Sequence, residues 1–263
     1  MAHRSSVWVP NQHGAWAMLA VPLITGAALR TPPGALRSLL VSSCFVAGYF
    51  GFYAASQWLK SPPRRRGRHL PPLLTYTSAS AALGLLALHL TGPALLGWIP
   101  VFAPLLVPAL WLARQRNERA LLGGALTTAA ACSMTLVLSH DSPAAVLADW
   151  PAARSATLTS LALFGYFFGT VLHVKSLIRE RGNSRIATAS LLWHLVWAVA
   201  TLPLWGLTTS WAWTALFGLA TVRTTLLFRA ARTRPVRPAV IGLIEVGLSL
   251  LVLVCALSTG APD

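Results

Sequence analysis

Six carboxylates serve the whole 263-residue chain, and one of them, Glu245, stands in VIGLIEVGLSLL, a run with no other charge. An acid in such surroundings is costly enough to imply a task or a partner cation. Arg223, in the preceding apolar run, is the candidate partner, and general-base work is the alternative for Glu245. A second candidate for acid–base chemistry is His13 in PNQHGAW, residues 10 to 16. An imidazole titrates near neutrality and can move a proton or orient a ligand, and Gly14 beside it permits close approach of a neighbouring backbone. Its plainer role is to cap the first helix or to hydrogen-bond a nearby loop.

The remaining candidates bind rather than react. In FVAGYFGFYAASQWLKSPP, Ser56 and Lys60 are four apart and share a helical face that Tyr49 and Tyr53 continue. Such a stripe would line a cavity open to the cytoplasm, unless Lys60 merely snorkels to the headgroups. A further cluster is HVKSLIRERGN, residues 173 to 183, which closes one of the most apolar segments. His173, Lys175 and Arg179 precede a Gly-Asn stop, and Glu180 is expected to pair with an arginine. Guanidinium forks and a lysine point charge suit a phosphate or diphosphate, with Arg68 in support. The competing reading is a topology signal and nothing more.

These residues need a scaffold, and composition defines it. The chain is 55% hydrophobic and only 10% charged, against roughly 25% charged in soluble domains. Spans of about 20 mostly apolar residues cross a bilayer as helices, because backbone polar groups must be satisfied within the segment. Nine are expected, at 14–30, 38–59, 71–91, 94–112, 120–139, 155–178, 185–207, 210–229 and 239–258, in a single all-α transmembrane domain over 1–263. With the N-terminus cytoplasmic, 17 of the 21 Lys and Arg fall on the inner side, which predicts a bacterial inner-membrane protein with the N-terminus in and the C-terminus out. The net charge of +15 therefore sets topology and does not indicate nucleic acid, which has no use for nine apolar stretches. Helix 1 is long enough to span and lacks a small-residue cleavage site, so it is expected to stay. Cys44, Cys132 and Cys255 lie in apolar segments without metal-ligand spacing and read as buried thiols. The tryptophans of LWHLVWAVATLPLW and TSWAWTALF read as interfacial belts and lipid-facing surface.

PNQHGAWAMLAVPLITG, HVKSLIRERGN and RPAVIGLIE together resemble the YwiC-like family of bacterial multi-pass membrane proteins. Nine helices with polar turns after the second and sixth also resemble, more distantly, the UbiA-type intramembrane prenyltransferases. Locally, RHLPPLLTYTSASAALGLLAL and HVKSLIRERGNSRIATASLL are similar to the stretches around their two Asp-rich motifs. That resemblance implies a UbiA-like helical bundle in which paired aspartates hold magnesium on an isoprenoid diphosphate. Here Ser56, Gln57 and Lys60, then Lys175, Ser176, Arg179 and Glu180, stand in those places, so no magnesium or other cofactor is expected. The leading expectation is an intramembrane enzyme for prenyl transfer or terpene cyclisation on a lipophilic substrate with an anionic, diphosphate-like head. Tyr53, Ser56, Lys60, Arg68, His173, Lys175 and Arg179 would bind it, and His13 or Glu245 would move protons. The alternatives are a carrier of an anionic lipid or small anion, and an accessory subunit of a membrane complex.

Overall fold

The computed structural model describes residues 7–10, 14–32, 34–204, 210–233 and 236–259. Among them every regular element is helical. Nine long helices follow the expected order: α1 (Ala15–Ala28), α2 (Ala35–Lys60), α3 (Leu70–Thr91), α4 (Ile99–Arg114), α5 (Leu121–Ser139), α6 (Trp150–Val174), α7 (Ser184–Leu204), α8 (Ser210–Thr233) and α9 (Pro238–Ser258). Seven of these regions are long and apolar enough to cross a membrane. The two that fall short of that measure are α1 and α8. At 14 residues α1 is only about 21 Å long, against a hydrocarbon core of about 30 Å. The sequence of α8 is diluted by Arg223, Arg229, Arg232 and repeated threonine. The expected nine crossings thus stand as seven by length and composition.

Local chemistry explains where the boundaries moved. Asp149 accepts from the Ala152 N–H at 3.3 Å with Pro151 following, so α6 starts at Trp150 and not at 155. The stretch 143–148, read as loop, forms a short helix capped by Ser142. In the basic connection after α2, Pro63–Arg66 make one helical turn and Gly67–His69 a 3-10 turn. The strongly proline-interrupted fourth segment begins as a 3-10 turn, Pro93–Trp98, before α4.

Two apolar cores result. One gathers Leu23, Leu40, Ala87, Trp98, Met134 and Leu138 from the first half of the chain. The other gathers Leu163, Tyr166, Phe167, Trp213, Phe217 and Val252 from α6, α8 and α9. Val21 and Leu23 place α1 in both, so this short helix joins the two groups. Its closest packing is on α5, where a Cβ on Gly26 would come within 2.6 Å of the Thr135 carbonyl oxygen. Trp213, expected at the membrane interface, is fully buried, while its neighbour Trp211 is exposed.

Candidate functional site

On α6, Tyr166, Thr170 and His173 recur at positions i, i+4 and i+7 and so form one stripe. Across from it stand His194 on α7, Arg223 on α8 and Glu245 on α9. All are buried: His173 and His194 have no exposed surface, Arg223 retains 6% and Glu245 9%. The Arg223 guanidinium donates Nη1 to Glu245 Oε1. The Thr170 hydroxyl donates to Glu245 Oε2 at 3.1 Å. Arg223 Nη2 also lies 3.2 Å from His194 Nε2.

The tautomer of His194 follows from its partners. His194 Nδ1 is 2.7 Å from the Ser190 carbonyl oxygen, which can only accept, so Nδ1 carries the hydrogen and Nε2 offers its lone pair to Arg223. His194 is thereby held neutral. His173 differs: its Nε2 lies 4.0 Å from Glu245 Oε1, beyond hydrogen-bond reach, and neither ring nitrogen has a partner. Gly169 makes room for this arrangement, since a Cβ there would come within 2.7 Å of His194 Nε2.

The expected pairing of Glu245 with Arg223 is the observed one. Sequence reasoning missed His194, because it sits in a Trp-rich run that resembles an interfacial belt. The signal available was Ser190–His194 spacing, four apart on an otherwise apolar helix. In the structure Trp193 donates its indole N–H to the Gly165 carbonyl at 2.7 Å, and Trp197 stacks on Phe217, so both face the bundle.

The expected cationic site is arranged differently. Lys60 pairs with Glu118 at 2.7 Å, and Lys175 pairs with Glu180 at 3.1 Å. Glu180 thus takes a lysine and not the arginine anticipated from sequence. Both lysines border the 115–120 turn, since Arg116 donates to the Lys60 carbonyl and Lys175 reaches the Arg119 carbonyl at 3.5 Å. Burial pushes the Glu118 carboxyl up, but the Lys60 hydrogen bond, its own backbone and the charges of Lys60 and Arg119 outweigh it and hold the group below its ordinary value. The Lys175 hydrogen bond, with Asn183 and against slight desolvation, lowers Glu180 likewise. Arg179 is exposed, and so is Arg68, whose Nε donates to His69. The Ser56 hydroxyl bonds back to the Phe52 carbonyl and Tyr53 is half-buried. His13 lies outside the described residues.

A groove between α1 and α2, open along one side, is lined by Trp16, Leu19, Leu23, Ile24, Leu39 and Val46, with Ala20 and Ala27 on its α1 wall and Ser38 and Ser42 on its α2 wall. Its volume of about 490 Å3 falls in the range of roughly 300–1,000 Å3 that ligand sites occupy. One end abuts an aromatic group in which Trp16 packs on Phe50 and Phe50 on Tyr76. One turn beyond Ala27 at the other end, Arg30 pairs with Asp141 at 2.8 Å. Arg37 there caps α5, donating to the carbonyls of Val137, Leu138 and His140. Burial, with Arg30 and Arg37, outweighs Asp141 and Asp149 and pushes the His140 ring below its ordinary value. Around His140 the two guanidiniums meet two carboxylates, those of Asp141 and Asp149.

Seven apolar spans and a buried ion pair shared among the helices define a multi-pass helical membrane protein. Residues 9–139, the N-terminal half of the chain, match the model of the YwiC-like protein family and belong to it. The chain is also 29% identical over 189 residues to the Uncharacterized protein YwiC of Bacillus subtilis (strain 168), covering 72% of this chain and 74% of that one. No solved structure matches it.

Proposed function

We propose that the protein acts within the bilayer on a lipophilic, isoprenoid- or quinone-like molecule whose chain lies in the α1–α2 groove. The observation that carries this reading is the groove itself: apolar along its length, open along one side and aromatic at one end. A polyisoprenoid tail suits the apolar walls. Lys60 and Lys175, the expected head-binding cations, each hold a carboxylate of the chain.

The reaction we put forward is the UbiA-like one, transfer or cyclisation of an isoprenoid chain, run without Asp-bound magnesium. Glu118, Glu180 and Glu245 are the three glutamates of the chain, and each is held by Lys or Arg. That supports a metal-free design, since hard divalent ions need several free oxygen ligands. Native mass spectrometry of the protein purified from its own membranes tests the reading. A lipophile of isoprenoid or quinone mass is expected on the wild type and absent from Ala20→Trp, which fills the groove. Bulk phospholipid alone, equal on both proteins, would sink it.

A further inference from the structure

We propose that the basic rim formed by residues 60–69 and 114–119 binds the anionic headgroups of phospholipids in the surrounding bilayer. The inference is independent of what the groove holds, because Lys60 follows Val46, the last α2 residue of the groove wall, by 14 residues, or about 21 Å of helix.

Its first support is a surplus of charge. Residues 60–69 carry one Lys and four Arg, residues 114–119 carry three Arg, and Glu118 is the one acid in either stretch. Lys60 holds that acid at 2.7 Å. The other described acids are engaged elsewhere: Glu180 pairs with Lys175, Glu245 with Arg223 and Asp141 with Arg30, while Asp149 caps α6. Asp263, the sixth, lies outside the described residues. Arg64, Arg65 and Arg68 are exposed, and no carboxylate among the described residues meets them. Like charges crowded in this way repel one another, and an anion from outside the chain relieves the repulsion.

The second support is that the two stretches form one surface. Arg116, the one non-glycine residue with a left-handed backbone among those described (φ 57°), turns back and donates Nε to the Lys60 carbonyl at 3.2 Å. The Lys60–Glu118 pair adds a second tie between the same two stretches. Between the packed neighbours α2 and α3 the connection is coiled into two short turns, Pro63–Arg66 and Gly67–His69, which keeps its arginines on the end of the bundle.

The third support fixes the depth, and with it the partner. The Arg66 guanidinium lies over the Trp58 ring, 4.8 Å from its centroid, and that of Arg114 lies over Trp111 at 5.6 Å. Tryptophans near the ends of membrane helices sit at headgroup level, so these cation–π contacts hold the two guanidiniums there and not out in water. Trp111 is 56% exposed and Leu70, where the connection enters α3, is 42% exposed, which gives the rim an apolar lower edge. A soluble polyanion has no use for that edge. A phospholipid supplies both parts: a phosphate onto which guanidinium groups fork, and acyl chains against the indole and the leucine. Phosphatidylcholine offsets its phosphate with a quaternary ammonium, whereas phosphatidylglycerol keeps a net negative charge, so the rim selects the latter.

The full chain in nanodiscs of phosphatidylcholine and phosphatidylglycerol, with native mass spectrometry counting the lipids it retains, tests this. The wild type is expected to keep phosphatidylglycerol over phosphatidylcholine. The triple variant Arg64→Gln, Arg65→Gln, Arg68→Gln should lose at least about tenfold of that preference, since each cation near a membrane surface contributes about fivefold. The matching triple change to Lys keeps the charge and should retain most of it. In the wild type the preference should also fall between discs assembled at about 0.1 M and about 1 M salt, a readout that needs no variant to fold. Equal retention of the two lipids by the wild type, a preference unmoved by the Gln changes or by salt, or a tighter hold on a short oligonucleotide than on phosphatidylglycerol would overturn the proposal.

Discussion

Glu245 and Arg223 hold one another 22 residues apart in sequence, on adjacent helices, and 9% and 6% exposed. Removing one partner leaves an uncompensated buried charge, so Arg223→Met should destabilise the protein by about 3–5 kcal/mol. Replacing both with apolar residues should cost much less. Thermal unfolding in detergent of Arg223→Met, Glu245→Leu and the double variant reads this directly, and an additive double variant would contradict it. Gly169→Ala should act on the same cluster by displacing His194, with a loss of about 1–3 kcal/mol from overpacking. The pairing itself was legible because two isolated charges in apolar runs must find each other. His194 was not, since a histidine among tryptophans carries no sign of which way it faces.

At the scale of elements, the order and rough extent of the helices could be read from apolar length, with ends up to five residues off, and their contacts could not. A membrane helix is apolar on all sides, so periodicity gives no face. That is why Trp193, Trp197 and Trp213 were assigned outward when they point into the bundle. The Lys60–Glu118 pair was hidden for another reason: its partners lie 58 residues apart. This pair ties the end of α2 to the α4–α5 turn and is partly exposed, so Glu118→Gln should cost about 0.5–1 kcal/mol. Because the folded-state Glu118 carboxyl sits below its ordinary value, that stabilisation is present above the unfolded pKa. It is lost as the pH falls through the folded one. A pH series of melting temperatures for wild type and Glu118→Gln should therefore converge in acid and separate toward neutrality; curves that stay parallel into acid would refute the linkage.

For the whole molecule, two cores joined by the short α1 leave the chain an open apolar groove in the half that matches the YwiC-like family. They also give it a buried ion-pair cluster in the other half. The family match, the apolar spans and the groove belong to one account, in which the protein works on a molecule that lives in the bilayer. Lipid extracts of a strain deleted for this protein test that claim most directly. The account predicts that the isoprenoid and quinone fraction changes on deletion and is restored by the wild type but not by Ala20→Trp. A fraction that is identical in the deleted, restored and Ala20→Trp strains would contradict it.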